Sequence, residues 1–220
     1  MKYTFSLFFI VGILLSSCSN KGNELLMKQL DDIQLKGDTL PSEAMLCLNS
    51  IKPLFKDEPE YARNKMALLD IRLRDKACIA HNSDSTMKGV CRFFENQGSA
   101  RDKQEAYYYM GSVYRDLNDY PNAVTYFLKS IKLAEDKTVI DNALLENACS
   151  QLSHLYHMQF NYAEALDVAL KGLHIAENSR IADERTYMGV ASGYYKLNDT
   201  LQTIKYAESA IECIEKKGIS

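Results

Sequence analysis

Gly111-Ser-Val-Tyr114-Arg-Asp-Leu117-Asn118-Asp119-Tyr120-Pro-Asn-Ala123-Val-Thr-Tyr126-Phe127 decides the fold, because the chain repeats it. Two other stretches superimpose on it without gaps. One runs Ser153-His-Leu-Tyr156, then Tyr162-Ala-Glu-Ala165, then Ala169. The other is Ala191-Ser-Gly-Tyr194-Tyr-Lys-Leu197-Asn198-Asp199, then Thr203, Tyr206 and Ala207. The offsets are 42 and 38 residues, and the Leu-Asn-Asp triplet recurs after 80. Self-similarity at such a period predicts a solenoid of stacked helical pairs.

The residue types say how each pair packs. A small residue at Gly111, Ser153 and Ala191 lets a second helix cross closely over the first. A tyrosine three positions on (Tyr114, Tyr156, Tyr194) shares that face and fills the space beside the crossing. The Asn/Asp pair stops the first helix and caps the second. Ala123, Ala165 and Thr203 are the small reciprocal contacts, with Phe127 adding bulk on the same stripe as Ala123.

On these residues the chain resembles the tetratricopeptide repeat family. Gly111, Tyr114, Ala123 and Phe127 occupy four of its characteristic positions, with Tyr107 where a tryptophan is usual and Ser130 at the last small site. The second repeat departs with Ser153 and Ala169, the third with Ala191 and Thr203. The resemblance implies an all-α fold, a right-handed α-α superhelix forming a solenoid of about five helical hairpins after a cleaved signal peptide. Periods above the family's usual 34 or so imply helices longer by roughly half a turn to a full turn each.

Upstream the repeat fades but cap signals continue. Asn23 caps Glu24–Lys36, Gly37 closes it, and Pro41 opens the segment to Phe55. Pro59 opens an amphipathic stretch to Ile79. After the His81-Asn82-Ser83 turn, Asp84 caps a helix to Asn96, which Gly98 closes. The repeat domain is therefore expected over 24–217, as hairpins 24–55, 59–97, 101–135, 138–178 and 180–217. Asn82-Ser83-Asp84-Ser85-Thr86 followed by Ala106-Tyr107-Tyr108-Tyr109-Met110-Gly111 is similar to a group of Bacteroidetes tetratricopeptide proteins. Several of those continue into a membrane helix and a cytoplasmic regulatory segment, which residues 1–220 do not contain.

The N-terminus reads differently. Lys2, the apolar run Phe5–Leu15 and the small pair Ser16-Ser17 before Cys18 have the anatomy of a secretory signal. Leu15-Ser16-Ser17-Cys18 resembles the lipobox of bacterial lipoproteins. That implies cleavage after residue 17, a covalent lipid on Cys18 and a short tether over 18–23. The alternative is an uncleaved membrane anchor, for which the apolar run is short of the about 20 residues a bilayer needs. Ser19, rather than Asp, points to the outer membrane and a periplasm-facing protein.

Removing the leader takes one lysine and no acid, leaving 25 basic against 29 acidic residues, net −4. No basic patch suited to a phosphate backbone is left, which argues against nucleic acid. Cys47, Cys78, Cys91, Cys149 and Cys213 are odd in number, spread out and free of CxxC spacing. They read as small hydrophobes in helices rather than as a zinc site or a disulfide framework. A Cys78–Cys91 bridge between adjacent helices stays open in an oxidising compartment.

No G-x-S-x-G, P-loop, Rossmann glycine set or HExxH occurs, so no enzyme and no cofactor beyond the lipid is expected. His154 and His157 share a helical face, but without a carboxylate there no metal site is expected. Lys129, Lys132 and Glu135 read as a solvated face. By helical phase Tyr107 joins the core stripe. The concave groove is then lined by Tyr108, Ser112 and Arg115, by Ser150, His154 and His157, and by Met188, Ser192 and Tyr195. The Lys/Asn/Lys/Arg carboxylate clamp of some family members is absent, and a mixed polar and aromatic groove suits a peptide or partner helix. The expectation is a lipid-anchored envelope scaffold binding a protein or peptide. The alternative is the sensor ectodomain of a regulatory protein, truncated here, since no polar capping helix precedes Gly218-Ile219-Ser220.

Overall fold

The computed structural model describes residues 21–135 and 141–218. The leader and Cys18, on which the lipid-anchor expectation rests, lie outside the described residues. Ten α-helices and no strand occur among those described: α1 (Glu24–Gly37), α2 (Pro41–Ile51), α3 (Glu60–Lys76), α4 (Ser85–Gln97), α5 (Ala100–Asp116), α6 (Tyr120–Glu135), α7 (Asn142–Met158), α8 (Tyr162–Asn178), α9 (Glu184–Lys196) and α10 (Thr200–Lys216). A 3-10 turn, Lys52–Phe55, extends α2 up to the Phe55 that ends its segment. None of these helices is long and apolar enough to cross a membrane.

Local chemistry sets the helix ends. Asn23 Oδ1 accepts from the amides of Leu25 and Leu26. Ser99 and Asp102 cap each other reciprocally at α5, as do Asp183 and Thr186 at α9. Asp141 and Asp199 accept from the amides of Leu144 and Gln202. Asp84 precedes α4 without a side-chain capping bond and pairs with Lys88 instead.

The Leu-Asn-Asp triplet works through its asparagine. Asn118 and Asn198 adopt φ of 60° and 61°, and the next amides, of Asp119 and Asp199, donate back to the carbonyls of Tyr114 and Tyr194. This left-handed closure satisfies carbonyls that the helix end would otherwise orphan. Cys78, Phe160 and Arg180 take the same role after α3, α7 and α8, with φ of 56°, 61° and 59°. Asparagine tolerates that region far better than phenylalanine does. Phe160→Asn should therefore stabilise the protein by about 1 kcal/mol, despite loss of an edge contact to Tyr162. A thermal melt showing a lower midpoint would mean that the ring contact outweighs the backbone strain.

The hairpins stack in two layers. The backbones of successive first helices approach closely, α1 on α3, α3 on α5, α5 on α7 and α7 on α9, whereas those of successive second helices stay further apart and meet only through long side chains such as Lys129 of α6 with Glu95 of α4. The first helices thus occupy the shorter, inner radius of a curved solenoid. The small-residue crossings behave as their types require. A Cβ on Gly111 would lie 2.8 Å from the Phe127 ring, and Ser153 Oγ donates to the Ala165 carbonyl at 2.8 Å. Tyr114 stacks on Tyr126 at 5.6 Å, and 80 residues later Tyr194 stacks on Tyr206 at 5.5 Å.

One expectation about a side chain fails here, and two others hold with added detail. Cys78 is exposed in its left-handed turn, not helical, while α4 turns Cys91 inward so that its Sγ meets the Ala106 carbonyl. Both are free thiols, so the Cys78–Cys91 bridge does not form, and burial pushes the Cys91 thiol up to about 12. Lys129 is exposed, as expected of a solvated face, but it also has partners. Its ammonium sits 4.5 Å over the Tyr126 ring and 5.3 Å over that of Tyr107, and it faces Glu95. Tyr107 packs against the core as helical phase places it, 6.1 Å from the Tyr126 ring, with its outer side half-buried under that lysine.

Candidate functional site

Among the described residues, two hollows open on the inner layer. One is a slot of about 410 Å³ between α7 and α9, floored by Ala169 and Gly172 of α8. The other is a wider cleft of about 770 Å³ bounded by the α1–α2 turn, α3, α5 and the start of α7.

Small residues open the slot. Ser150 and Ser192 face each other from α7 and α9, and a Cβ on Gly189 would find nothing within 4 Å. Glu146, His154, His157, Arg185 and Thr186 supply its polar walls. Ser150, His154, His157 and Ser192 are thus brought together as the sequence predicts. Met188 and Tyr195 are exposed but line neither hollow, because they lie on the side of α9 away from α7.

The central repeat differs from its predicted role. Tyr108 is buried at 6 % exposure, edge-on to Tyr109 and to Phe127, and only its rim reaches the wide cleft. Burial, and then the nearby Asp75, push its hydroxyl pKa well above the ordinary range. Ser112 is fully buried. Arg115 bonds Asp75 of α3 at 2.9 Å, Gln151 of α7 at 2.9 Å and its neighbour Asp116. It ties three first helices together instead of facing a ligand freely. The cause is curvature, since α3 and α7 both close over α5 and cover the positions that helical phase alone assigns to the groove.

The ionic seam beneath that closure is invisible to motif reading. Lys65 of α3 meets Asp102 at 3.2 Å and Glu105 at 3.5 Å on α5, while Arg72 bonds Glu105 at 3.2 Å and Asp38 at 2.7 Å. Tyr61 donates to Asp102 as well. A signal for these pairs exists. Lys65–Asp102, Lys65–Glu105, Asp75–Arg115 and Arg101–Asp141 are 37, 40, 40 and 40 residues apart, close to the repeat period. Opposite charges one period apart on first helices fall side by side.

Glu146 was also missed, and it overturns the expectation that the histidine face lacks a carboxylate. It lies four residues before Ser150 and eight before His154 on the inner face of α7, in the slot itself. Burial, then Asp183, raise its carboxyl above the usual range, while Arg185 pulls the other way. Burial, Lys196 and His154 lower the pKa of His157, so its ring stays neutral further into acid. Its Nε2 is buried without a hydrogen-bond partner. Among the described residues no group of three or more His, Cys, Asp or Glu side chains is arranged to hold a metal ion.

Residues 104–137 match the sequence model of the tetratricopeptide repeat. No match was found among curated proteins. The fold is similar to solved structures at low identity. The nearly identical TPR-like repeats of a kinesin-light-chain-like protein of Podosopora anserina align with a TM-score of 0.65 and 11 % identity, over 89 % of this chain and 97 % of that one. Aspartyl phosphate phosphatase F of Bacillus subtilis aligns at 0.70 and 12 %, over 88 % of this chain and 52 % of its own. A signal-transduction ATPase with a tetratricopeptide repeat sensor, from Pyrococcus horikoshii, aligns at 0.67 and 16 %, over 86 % and 30 %. Residues 104–137 are a tetratricopeptide repeat, and the chain around them is folded as a solenoid of the tetratricopeptide type.

Proposed function

We propose that this protein is a non-enzymatic scaffold or adaptor of the bacterial envelope, anchored by lipid on Cys18, that binds a protein or peptide partner on its inner face. The observation that carries the binding part is the slot between α7 and α9, walled by two helices and open where Gly189, Ser150 and Ser192 leave room. Curved helical solenoids engage partners across several repeats at once on that face. The anchoring part rests on Leu15-Ser16-Ser17-Cys18. The chain just beyond it is held against α3, since Asn23 N–H donates to Glu58 at 2.7 Å and Lys21 lies 5.4 Å over the Tyr61 ring. A lipid on Cys18 would thus hold that corner of the solenoid close to the outer-membrane surface.

Labelled fatty acid should enter the wild-type protein in its native host and not Cys18→Ser. Stable anchoring takes more than one acyl chain, as lipoprotein maturation supplies. Failure of wild type to take up label would end the anchoring reading. For the groove, Ser150→Arg with Ser192→Arg fills the slot without touching the core. Capture of envelope partners from membranes should fall at least tenfold, with helix content unchanged by circular dichroism. Equal recovery with both proteins would place the binding surface elsewhere.

The sensor-ectodomain reading draws on two of the similar structures, a phosphatase of aspartyl phosphate and a protein with a repeat sensor, each longer than this chain. An in-frame membrane segment downstream of codon 220 would favour it over the scaffold.

A further inference from the structure

The slot is uneven in charge. Its middle holds no acid, lysine or arginine and is lined by serines and by His154 and His157. At one end the half-buried Glu146 carboxylate opens into the slot, within reach of the charge on Arg185 but with no hydrogen bond or salt bridge to a described residue. Arg185 shares that end but is committed to Asp183, whose Oδ2 accepts from its Nε at 3.1 Å and its Nη2 at 2.8 Å. A partly desolvated carboxylate that lacks a direct partner gains a charge-assisted hydrogen bond from an incoming cation. The inner face of α7 from Glu146 to His157 runs about 16 Å, the length of about five residues of extended chain.

We infer that the slot selects a peptide segment bearing an arginine or lysine side chain, whose cation pairs with Glu146 while the flanking backbone lies along the serine and histidine walls. This deepens the groove reading above and rests on it. The volume falls in the range of small-ligand sites, which fits one long side chain with its neighbouring backbone. The unpaired acid decides the sign of the ligand's charge, because an acidic peptide would add a second unpaired anion beside Glu146.

The test uses the full chain and two blocked pentapeptides, acetyl-Gly-Ala-Arg-Ala-Gly-amide and its citrulline counterpart, which keeps the shape and loses the charge. Calorimetric titration should give at least tenfold tighter binding of the arginine peptide. Glu146→Gln should bring that affinity down to the citrulline level while leaving the citrulline peptide's own affinity unchanged. A thermal melt checks that the variant is folded. If both peptides bind wild type equally, or if the preference survives in Glu146→Gln, the selection by Glu146 is wrong and the groove reading stands. If neither peptide binds at millimolar concentration, the inference and the peptide groove fall together.

Discussion

Phe127→Ala should destabilise the protein by about 3–5 kcal/mol. Phe127 is wholly inaccessible to solvent, its ring fills the space that Gly111 leaves open, and Tyr108 meets it edge-on at 5.6 Å. Truncation removes the ring's burial and leaves a cavity that neighbours on α5 cannot fill, since Gly111 carries no side chain to relax into it. At about 2–4 °C per kcal/mol for a chain of this size, the melting midpoint should fall by roughly 6–20 °C. The loss should spread, because repeats are held by their neighbours, and unfolding followed by several probes should lose its coincidence. Lys129→Ala is the comparison. Its ammonium lies over two tyrosine rings, so it should cost about 0.5–1 kcal/mol rather than the near-zero value of a free surface lysine. Equal small losses at both positions would show that the α5–α6 crossing is not built as described.

The architecture was legible because a repeat is a local pattern used several times. Gly111, Ala123 and Phe127 report their burial through residue type and spacing alone, and the Asn-Asp turn announces itself through the left-handed conformation that asparagine accepts. The groove was legible only toward the C-terminal end. Ser150, His154, His157 and Ser192 line a slot that small residues on α7 and α9 leave open, so helical phase places them correctly. Tyr108, Ser112 and Arg115 have equivalent phase, yet α3 and α7 close over them. Phase says which way a side chain leaves its own helix. It does not say how far the superhelix curves, which depends on contacts between repeats such as Arg115 with Asp75 and Gln151. Glu146 carries no mark in the sequence, since an acid two turns before His154 has the same residue type and helical setting as the solvated acids of the other helices.

The second large effect is expected at Glu105. This carboxylate is almost fully buried between Lys65 and Arg72. Burial opposes the charge on Arg72, but the surrounding Tyr109, Glu105 and Asp38 more than compensate and hold its pKa above the ordinary value. Glu105→Ala removes one partner from two buried cations and should cost about 3–5 kcal/mol, at the lower end because Asp38 and Asp102 remain. Replacing both members of the central pair, Arg72→Met with Glu105→Leu, should recover most of that loss, since two apolar groups need no partners. If the double variant is as unstable as Glu105→Ala, the seam contributes geometry that apolar packing cannot supply. The same seam sets the acid limb. Asp102 is buried, which alone would raise its carboxyl, but Lys65 and Ser99 lower it below the 3.8 of free aspartate. A group bound more tightly in its charged form when folded stabilises fully above its unfolded pKa, and that contribution drains away as pH falls through the folded value. Stability should therefore decline below about pH 4, and Lys65→Met should reduce the part of that decline due to Asp102. An unchanged acid limb in Lys65→Met would assign the loss to other carboxylates, of which Asp38 and Asp116 are held low in the same way by Arg72 and by His81 with Arg115.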